Sequence, residues 1–257
     1  LFSSRGHIST QSGFQKYMEW NDSGVVLSVR KQGETSVLVA LFTEKHGRHM
    51  GLVRGGQSSR LRGIYQVGNL VKASWRARLE EHLGNFNCEL IRPVAAALLN
   101  DAFQLSALSS ACALSELALP ERAPYSNIYN SLMELINKIQ NSRDWYMSYA
   151  HFELTLLADL GFSLDFSSCV VTGNTADLVY ISPRSGRAVS LTAGEPWKEK
   201  LLPLPAFFLP NGPKTVSRNE LLDALKLTGW FLDNHLFKDV KIPPARIRFL
   251  DRLSIKL

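Results

Sequence analysis

The chain has 257 residues, 45% of them hydrophobic, enough for one large domain or two small ones with ordinary packed cores. A formal net charge of +6 points to an anionic partner without choosing one, and three scattered cysteines, Cys88, Cys112 and Cys169, argue against a disulfide framework. No apolar run reaches the length of a membrane span, since Gln104, several serines and Glu116 interrupt the Ala- and Leu-rich stretch 102–119, so a cytoplasmic, reducing setting is expected.

Residues 1–17 begin without Met, lack acidic side chains and are rich in Ser, Gln and Gly, whereas Met18-Glu19-Trp20 reads as a natural start. They are set apart as an added or misassigned leader. An organellar presequence has a similar acid-poor character, but only Arg5 and Lys16 supply charge.

Residues 24–31, 36–42, 49–54, 70–78 and 85–91 form β-branched or alternating runs separated by Gly-containing turns, which predicts five short strands. Five strands without a long intervening helix predict a small barrel, with the five-stranded OB-fold as the leading form and an SH3-like barrel as its rival. After Pro93 the period lengthens to that of helices. A helical stretch is predicted over 94–119, followed by a stripe at Ile128, Leu132, Leu135 and Ile139 and another at Phe152, Leu156 and Leu160, ended by Gly161. Residues 165–193 lose that period and read as a small β-rich insert. The five prolines between 196 and 213 predict an extended connection across the surface. Ser217 and Glu220 predict a capping box for a helix burying Leu221, Leu222, Leu225 and Leu232, and a last short helix follows Pro244.

Charge is distributed unevenly. Residues 98–257 carry 16 Lys and Arg against 16 Asp and Glu, while 18–97 carry 11 against 7. Between Lys45 and Arg78 there are eight cations and no acid, interleaved with Tyr65 and Trp75. Cations that track phosphates beside rings that stack bases are what a single-stranded nucleic acid requires. The loop 54–62 concentrates Arg54, Arg60 and Arg62 around Gly55 and Gly56, where the backbone can approach a phosphate. The candidate DNA-binding set is Arg30, Lys31, Arg48, Arg54, Arg60, Arg62, Lys72, Arg76 and Arg78. Strand alternation puts Lys72, Ser74, Arg76 and Arg78 on one face and turns Trp75 inward, into the core.

Catalytic patterns are missing from the sequence: no Walker A loop, no Gly-x-Ser-x-Gly elbow and no His-Glu-x-x-His. His46 and His49, three apart at a hairpin, are read as polar side chains exposed at the surface, and Glu80-Glu81 as solvated turn carboxylates. No catalytic residue, cofactor or metal is assigned, and the chain is not expected to be an enzyme.

Several segments together resemble one family. Gly24-Val25-Val26-Leu27-Ser28-Val29-Arg30, Gly33-Glu34-Thr35-Ser36, Leu41-Phe42-Thr43-Glu44-Lys45-His46-Gly47 and Leu52-Val53-Arg54-Gly55-Gly56 look like the N-terminal barrel of the RecO family, and residues 75–86 resemble its alphaproteobacterial form. The resemblance extends over nearly all of 18–257. It implies an α+β multidomain fold: an OB-fold β-barrel at 18–93, then an α-helical domain at 94–257 with a zinc-ribbon-like insert at 165–193. Here that insert departs from the four-cysteine pattern, with Thr172 after Cys169 and no cysteine in 182–190, so the metal ligands are lacking and no zinc is expected.

The resemblance further implies a nucleoid-associated mediator of recombinational repair. Such proteins bind single- and double-stranded DNA, anneal complementary strands, engage the acidic tail of single-strand-binding protein, pair with RecR and help RecA load. For the acidic tail, Arg122, Lys138 and Arg143, near Tyr125, Trp145 and Tyr149, are the candidate contacts. Two other readings compete, an OB-fold RNA-binding or translation-associated module and a metal-dependent nuclease. The first predicts preference for structured RNA, and the second needs a cluster of carboxylates or histidines that the sequence does not display.

Overall fold

The computed structural model describes residues 17–141 and 145–255. The leader assigned to 1–17 therefore lies outside the described residues except for Tyr17.

Five strands come first: β1 (Met18–Gln32), β2 (Ser36–Thr43), β3 (Gly47–Val53), β4 (Leu70–Ala77) and β5 (Asn85–Arg92), with a one-turn helix α1 (Ser59–Arg62) between β3 and β4. They close into a ring in the order β1-β2-β3-β5-β4. The long β1 makes closure possible: its first half pairs with β4, from Met18 opposite Ala77 to Val25 opposite Leu70, and its second half with β2, to Gln32 opposite Ser36. The joint between β3 and β5 is slight, a single parallel pair, Leu52 opposite Asn85, with Leu52 N–H donating to the Gly84 carbonyl at 3.0 Å. Val26, Val39, Leu41, Val53, Val71, Trp75, Phe86 and Cys88 fill the ring, so Trp75 points inward as the alternation predicts.

The helical region contains α2 (Val94–Ala97), α3 (Ala102–Ala118), α4 (Ser126–Asn141) and α5 (Trp145–Asp159), then α7 (Arg218–Phe231) and α8 (Pro244–Ile255) near the end of the chain. Between α5 and α7 lie β6 (Leu178–Ile181), β7 (Ala188–Ser190), the short α6 (Leu191–Gly194) and β8 (Leu202–Pro203), with the three strands ordered β7-β6-β8. Ile128, Leu132, Leu135 and Ile139 are buried along α4, and the capping box of Ser217 and Glu220 opens α7. Of the four leucines assigned to that helix's buried face, Leu221, Leu225 and Leu232 are buried and Leu222 is half-buried.

Two elements differ from expectation. The helix predicted over 94–119 is broken, because the Asp101 carboxylate accepts the N–H groups of Phe103 and Gln104 and starts a new helix there. The proline-rich segment does not simply cross the surface. It folds into 3₁₀ turns at Glu195–Lys200 and Ala206–Phe208 and sends Leu204, Phe207 and Phe208 into the core, where apolar burial outweighs the extended preference of proline. In the insert, the Cys169 sulfur accepts the Ser190 N–H at 3.2 Å and hydroxyl at 3.4 Å. Among the described residues no group of three or more His, Cys, Asp or Glu side chains could hold a metal ion, and no helix is long and apolar enough to cross a membrane.

Ring and helices share apolar packing. Val25, Leu27, Ala40 and Phe42, on the outer face of β1 and β2, join α3 and α4 in one cluster, with Phe42 edge-on to Tyr129 at 5.4 Å. Polar ties flank it. Glu116 accepts from the Ser28 hydroxyl and the Arg30 guanidinium, both at 2.6 Å; the Arg122 N–H donates to the Arg48 carbonyl at 2.7 Å. Gly47, at φ +64°, fits directly beneath this junction, since a Cβ there would lie 2.0 Å from the Ala123 carbonyl oxygen.

Candidate nucleic-acid interface

Register places the candidate cations before any distance is needed. Lys31 is opposite Val37, Val37 opposite Val53, Leu52 opposite Asn85, and Asn85 opposite Arg76. A belt thus crosses four strand gaps from Lys31 to Arg76, about 19 Å at the usual spacing of neighbouring strands. Arg54 follows β3 in the middle of that belt.

Two concavities lie along it. In one, of about 660 Å³, Arg54, Arg76 and Arg78 meet beside Tyr17, Asn85 and Phe86. The other, of about 380 Å³, is lined by Lys31 and Arg62 together with Gly56, Gln57 and Val37. The loop between them is held in place. Gln57 Nε2 donates to the carbonyls of Gly33 and Ser36, its N–H donates to Thr35, and Arg62 Nη2 donates to the Gln57 carbonyl at 3.1 Å. Gly56 is needed for that course, because a Cβ would come within 2.4 Å of the Val37 side chain. Arg60 is exposed on α1, in the same crossing.

The remaining cations are placed differently. Lys72 is exposed on β4 but lies opposite Glu89, and Arg76 lies opposite Glu19 as well as Asn85, so positive charge is concentrated at the rim more than along the strand. Arg30 is engaged with Glu116 on α3. Arg48 donates from Nε to the Leu119 carbonyl at 2.7 Å and lies 3.6 Å from Glu121, which ties it to the helical region.

The rings are also redistributed. Trp75 and Tyr65 are buried, with the Tyr65 hydroxyl accepting the Cys88 N–H at 3.1 Å, so neither is open to a stacking base. The ring that is open is Tyr17, 42% exposed, with the Arg76 guanidinium 4.0 Å above its centroid. Its signal in the sequence is an aromatic residue directly before the first strand, at the end of the segment assigned to a leader.

His49 does not lie at the surface. Its ring is buried against Trp20, Trp75 and Phe86, with neither nitrogen hydrogen-bonded to another residue, and burial pushes its pKa down to about 4, helped by the charges of Arg122 and His46. His46 stacks on Trp20 at 4.2 Å and reaches Asp22 Oδ2 at 3.2 Å. Burial alone would raise the Asp22 carboxyl, but hydrogen bonds from Lys45 N–H, His46 and Ser23 N–H reverse this and lower it.

Among the described residues, the candidates for an acidic tail have different surroundings. Tyr149 is fully buried, its hydroxyl 2.6 Å from Ser110 Oγ, so it belongs to the core and cannot meet a partner. Arg122 Nη2 donates to the carbonyls of Glu81 and His82, fastening the β4–β5 turn to the helical region. Lys138 is exposed on α4. Arg143 lies outside the described residues.

The comparisons with known proteins fall in one class, the proteins of DNA repair and recombination. The model "Recombination protein O N terminal" matches residues 18–94 and "Recombination protein O C terminal" matches 99–242. The chain is similar to the DNA repair protein RecO of Rhodospirillum centenum, 49% identical over 91% of this chain and 94% of the relative, and to that of Rhodospirillum rubrum, 45% identical over 92% and 96%. It is also similar to the RecO protein of a Ruegeria species, 43% identical over 92% of this chain and 99% of the relative. The chain belongs to the RecO family, whose members mediate recombination without catalysing a reaction.

Proposed function

We propose that the chain binds single-stranded DNA along the rim of its five-stranded ring, read here as an OB-fold, and anneals complementary strands during recombinational repair. The observation that carries this reading is the meeting of Arg54, Arg76 and Arg78 beside the exposed Tyr17, with Lys31 and Arg62 further along the same belt. Guanidinium groups neutralise phosphates while an open ring offers a base a stacking surface. Annealing needs no bond chemistry, since a cationic rim lowers the repulsion between two approaching strands. In this reading the chain also binds double-stranded DNA, engages the acidic tail of single-strand-binding protein, pairs with RecR and helps RecA load.

The test is to mix two complementary oligonucleotides coated with single-strand-binding protein and follow duplex formation without ATP. The chain is expected to accelerate pairing, and a variant with Arg54, Arg76 and Arg78 changed to Ala is expected not to. Equal rates with and without the chain would reject the reading. Four or five neutralised phosphates imply a log–log salt slope of about −3, roughly fifty-fold in affinity between about 50 and 200 mM salt.

A further inference from the structure

The seam between β3 and β5 is held by more than its one strand pair, and the second fastening comes from the helical region. In the connection from α3 to α4, Pro120 and Pro124 keep Glu121, Arg122 and Ala123 outside both helices. There Glu121 forms a parallel bridge with Arg48 of β3, and the Arg122 N–H donates to the Arg48 carbonyl at 2.7 Å. The Arg122 side chain reaches the other way. Its Nη2 donates to the carbonyls of Glu81 at 3.1 Å and His82 at 3.0 Å, in the turn between β4 and β5. Since β3 and β5 run parallel with Leu52 opposite Asn85, residues 81–84 lead into β5 alongside the first half of β3, and Arg122 bridges the two along that stretch. It does so at φ +61°, a left-handed conformation that residues other than glycine rarely adopt and that persists where the surroundings demand it.

We infer that Arg122 is a positioning residue for the DNA rim: by bridging β3 to the β4–β5 turn it sets the spacing between Arg54, after β3, and Arg76 and Arg78, at the end of β4. The turn it holds begins with Arg78, directly after β4. One limb of that turn is pinned from inside the ring, where Trp75 Nε1 donates to the Leu83 carbonyl at 3.0 Å, and Arg122 pins the tip from outside. With the guanidinium removed the tip loses its hold on β3, and Arg78 is free to move relative to Arg54. Charge makes such movement costly for a bound strand. Glu80 and Glu81 are exposed on the same tip, so a turn that drifts toward the rim sets carboxylates against phosphates. The inference rests on the rim reading for its ligand and deepens it by making the rim depend on a residue of the helical region.

The experiment uses the full chain and fluorescein-labelled oligothymidylate, with fluorescence anisotropy followed over a salt series. Arg122→Gly removes the guanidinium and suits the positive φ, so the local backbone is kept. Ser110→Ala, which deletes a buried hydrogen bond to Tyr149 in the helical core, controls for lost stability alone. Arg122→Gly is expected to weaken oligothymidylate about five-fold and to shrink the salt slope by about 0.7 to 1.4, the equivalent of one or two phosphate contacts, while Ser110→Ala binds as the parent does. In a chain already carrying Arg76→Ala and Arg78→Ala, adding Arg122→Gly should change affinity by less than about two-fold, because the groups it positions are gone. Parental affinity in Arg122→Gly overturns the inference and leaves the rim reading standing. So does an undiminished further loss in the chain lacking Arg76 and Arg78, which would make Arg122 a DNA contact in its own right. If the Arg54→Ala, Arg76→Ala, Arg78→Ala variant binds oligothymidylate as the parent does, the rim reading falls and this inference falls with it.

Discussion

Arg48 and Arg54 lie six residues apart in the same basic run and have different surroundings. Arg48 is tied to Leu119 and Glu121, across the junction with the helices, while Arg54 looks into a concavity shared with two other arginines. Arg54→Ala should weaken oligothymidylate binding about five-fold and shrink the salt slope by about 0.7, measured by anisotropy over a salt series. Arg48→Ala should instead cost about 1–2 kcal/mol of folding stability in urea titration and leave the slope unchanged. Charge and spacing identified both residues as candidates. They could not separate them, because the atoms that engage Arg48 lie more than seventy residues away in the chain. His49 was misread for a similar reason, since the rings that bury it come from β1, β4 and β5. Its pKa of about 4 in the folded chain, against an ordinary 6.5, means the unfolded chain binds the extra proton first. Stability is therefore fully present above about pH 6.5 and declines as pH falls toward 4. Thermal melts of the parent and of His49→Leu across that window should show a smaller decline in the variant. Parallel pH profiles would mean that His49 is not the group responsible.

Among the elements, the strands were the most readable because alternation and turn glycines agreed. Gly33 and Gly47 have positive φ at the two hairpin turns, so the sequence marked where the sheet reverses. It did not show that Gly47 also sits against Ala123, and that contact makes the glycine obligatory. Gly47→Ala should destabilise the chain by about 2 kcal/mol or more, seen as a lowered urea midpoint, because a positive φ and a backbone clash act together. The helix predicted over 94–119 failed at Asp101 because an Ala- and Leu-rich periodicity continues through a cap without registering it. The segment at 196–213 failed because proline counts carry no information about Phe207 and Phe208, whose burial decides its path. In the insert, the missing cysteines were legible. The hydrogen bonds from Ser190 to Cys169 were not, as they join positions twenty-one residues apart.

At the scale of the whole molecule, burial of charge fixes how the last helix is held. Arg246 on α8 reaches Glu153 on α5 from Nε at 2.8 Å and Nη2 at 2.9 Å, with Thr228 on α7 donating to the same carboxylate, and both charged side chains are almost wholly buried. Burial alone would favour loss of the Arg246 proton, but the Glu153 carboxylate outweighs it and raises the pKa further. Glu153→Gln leaves that cation without a counterion and should cost about 3–5 kcal/mol, read from the shift in urea unfolding. A loss below about 1 kcal/mol would show that water reaches the site. The sequence suggested a ring followed by helices, yet the outer face of β1 and β2 is part of the helical core, an arrangement that periodicity on either side of Pro93 does not specify.

The slight closure between β3 and β5 lies under the middle of the cationic belt. A strand of DNA gripping Arg54 on one side and Arg76 on the other would span this seam like a clasp, since the seam is a single residue pair. Hydrogen exchange at the Leu52 amide, which bonds to Gly84 across the gap, should then slow when oligothymidylate binds. Amides deep in the β1–β2 ladder should scarcely respond, and the weakest joint of the ring would report that its ligand is present.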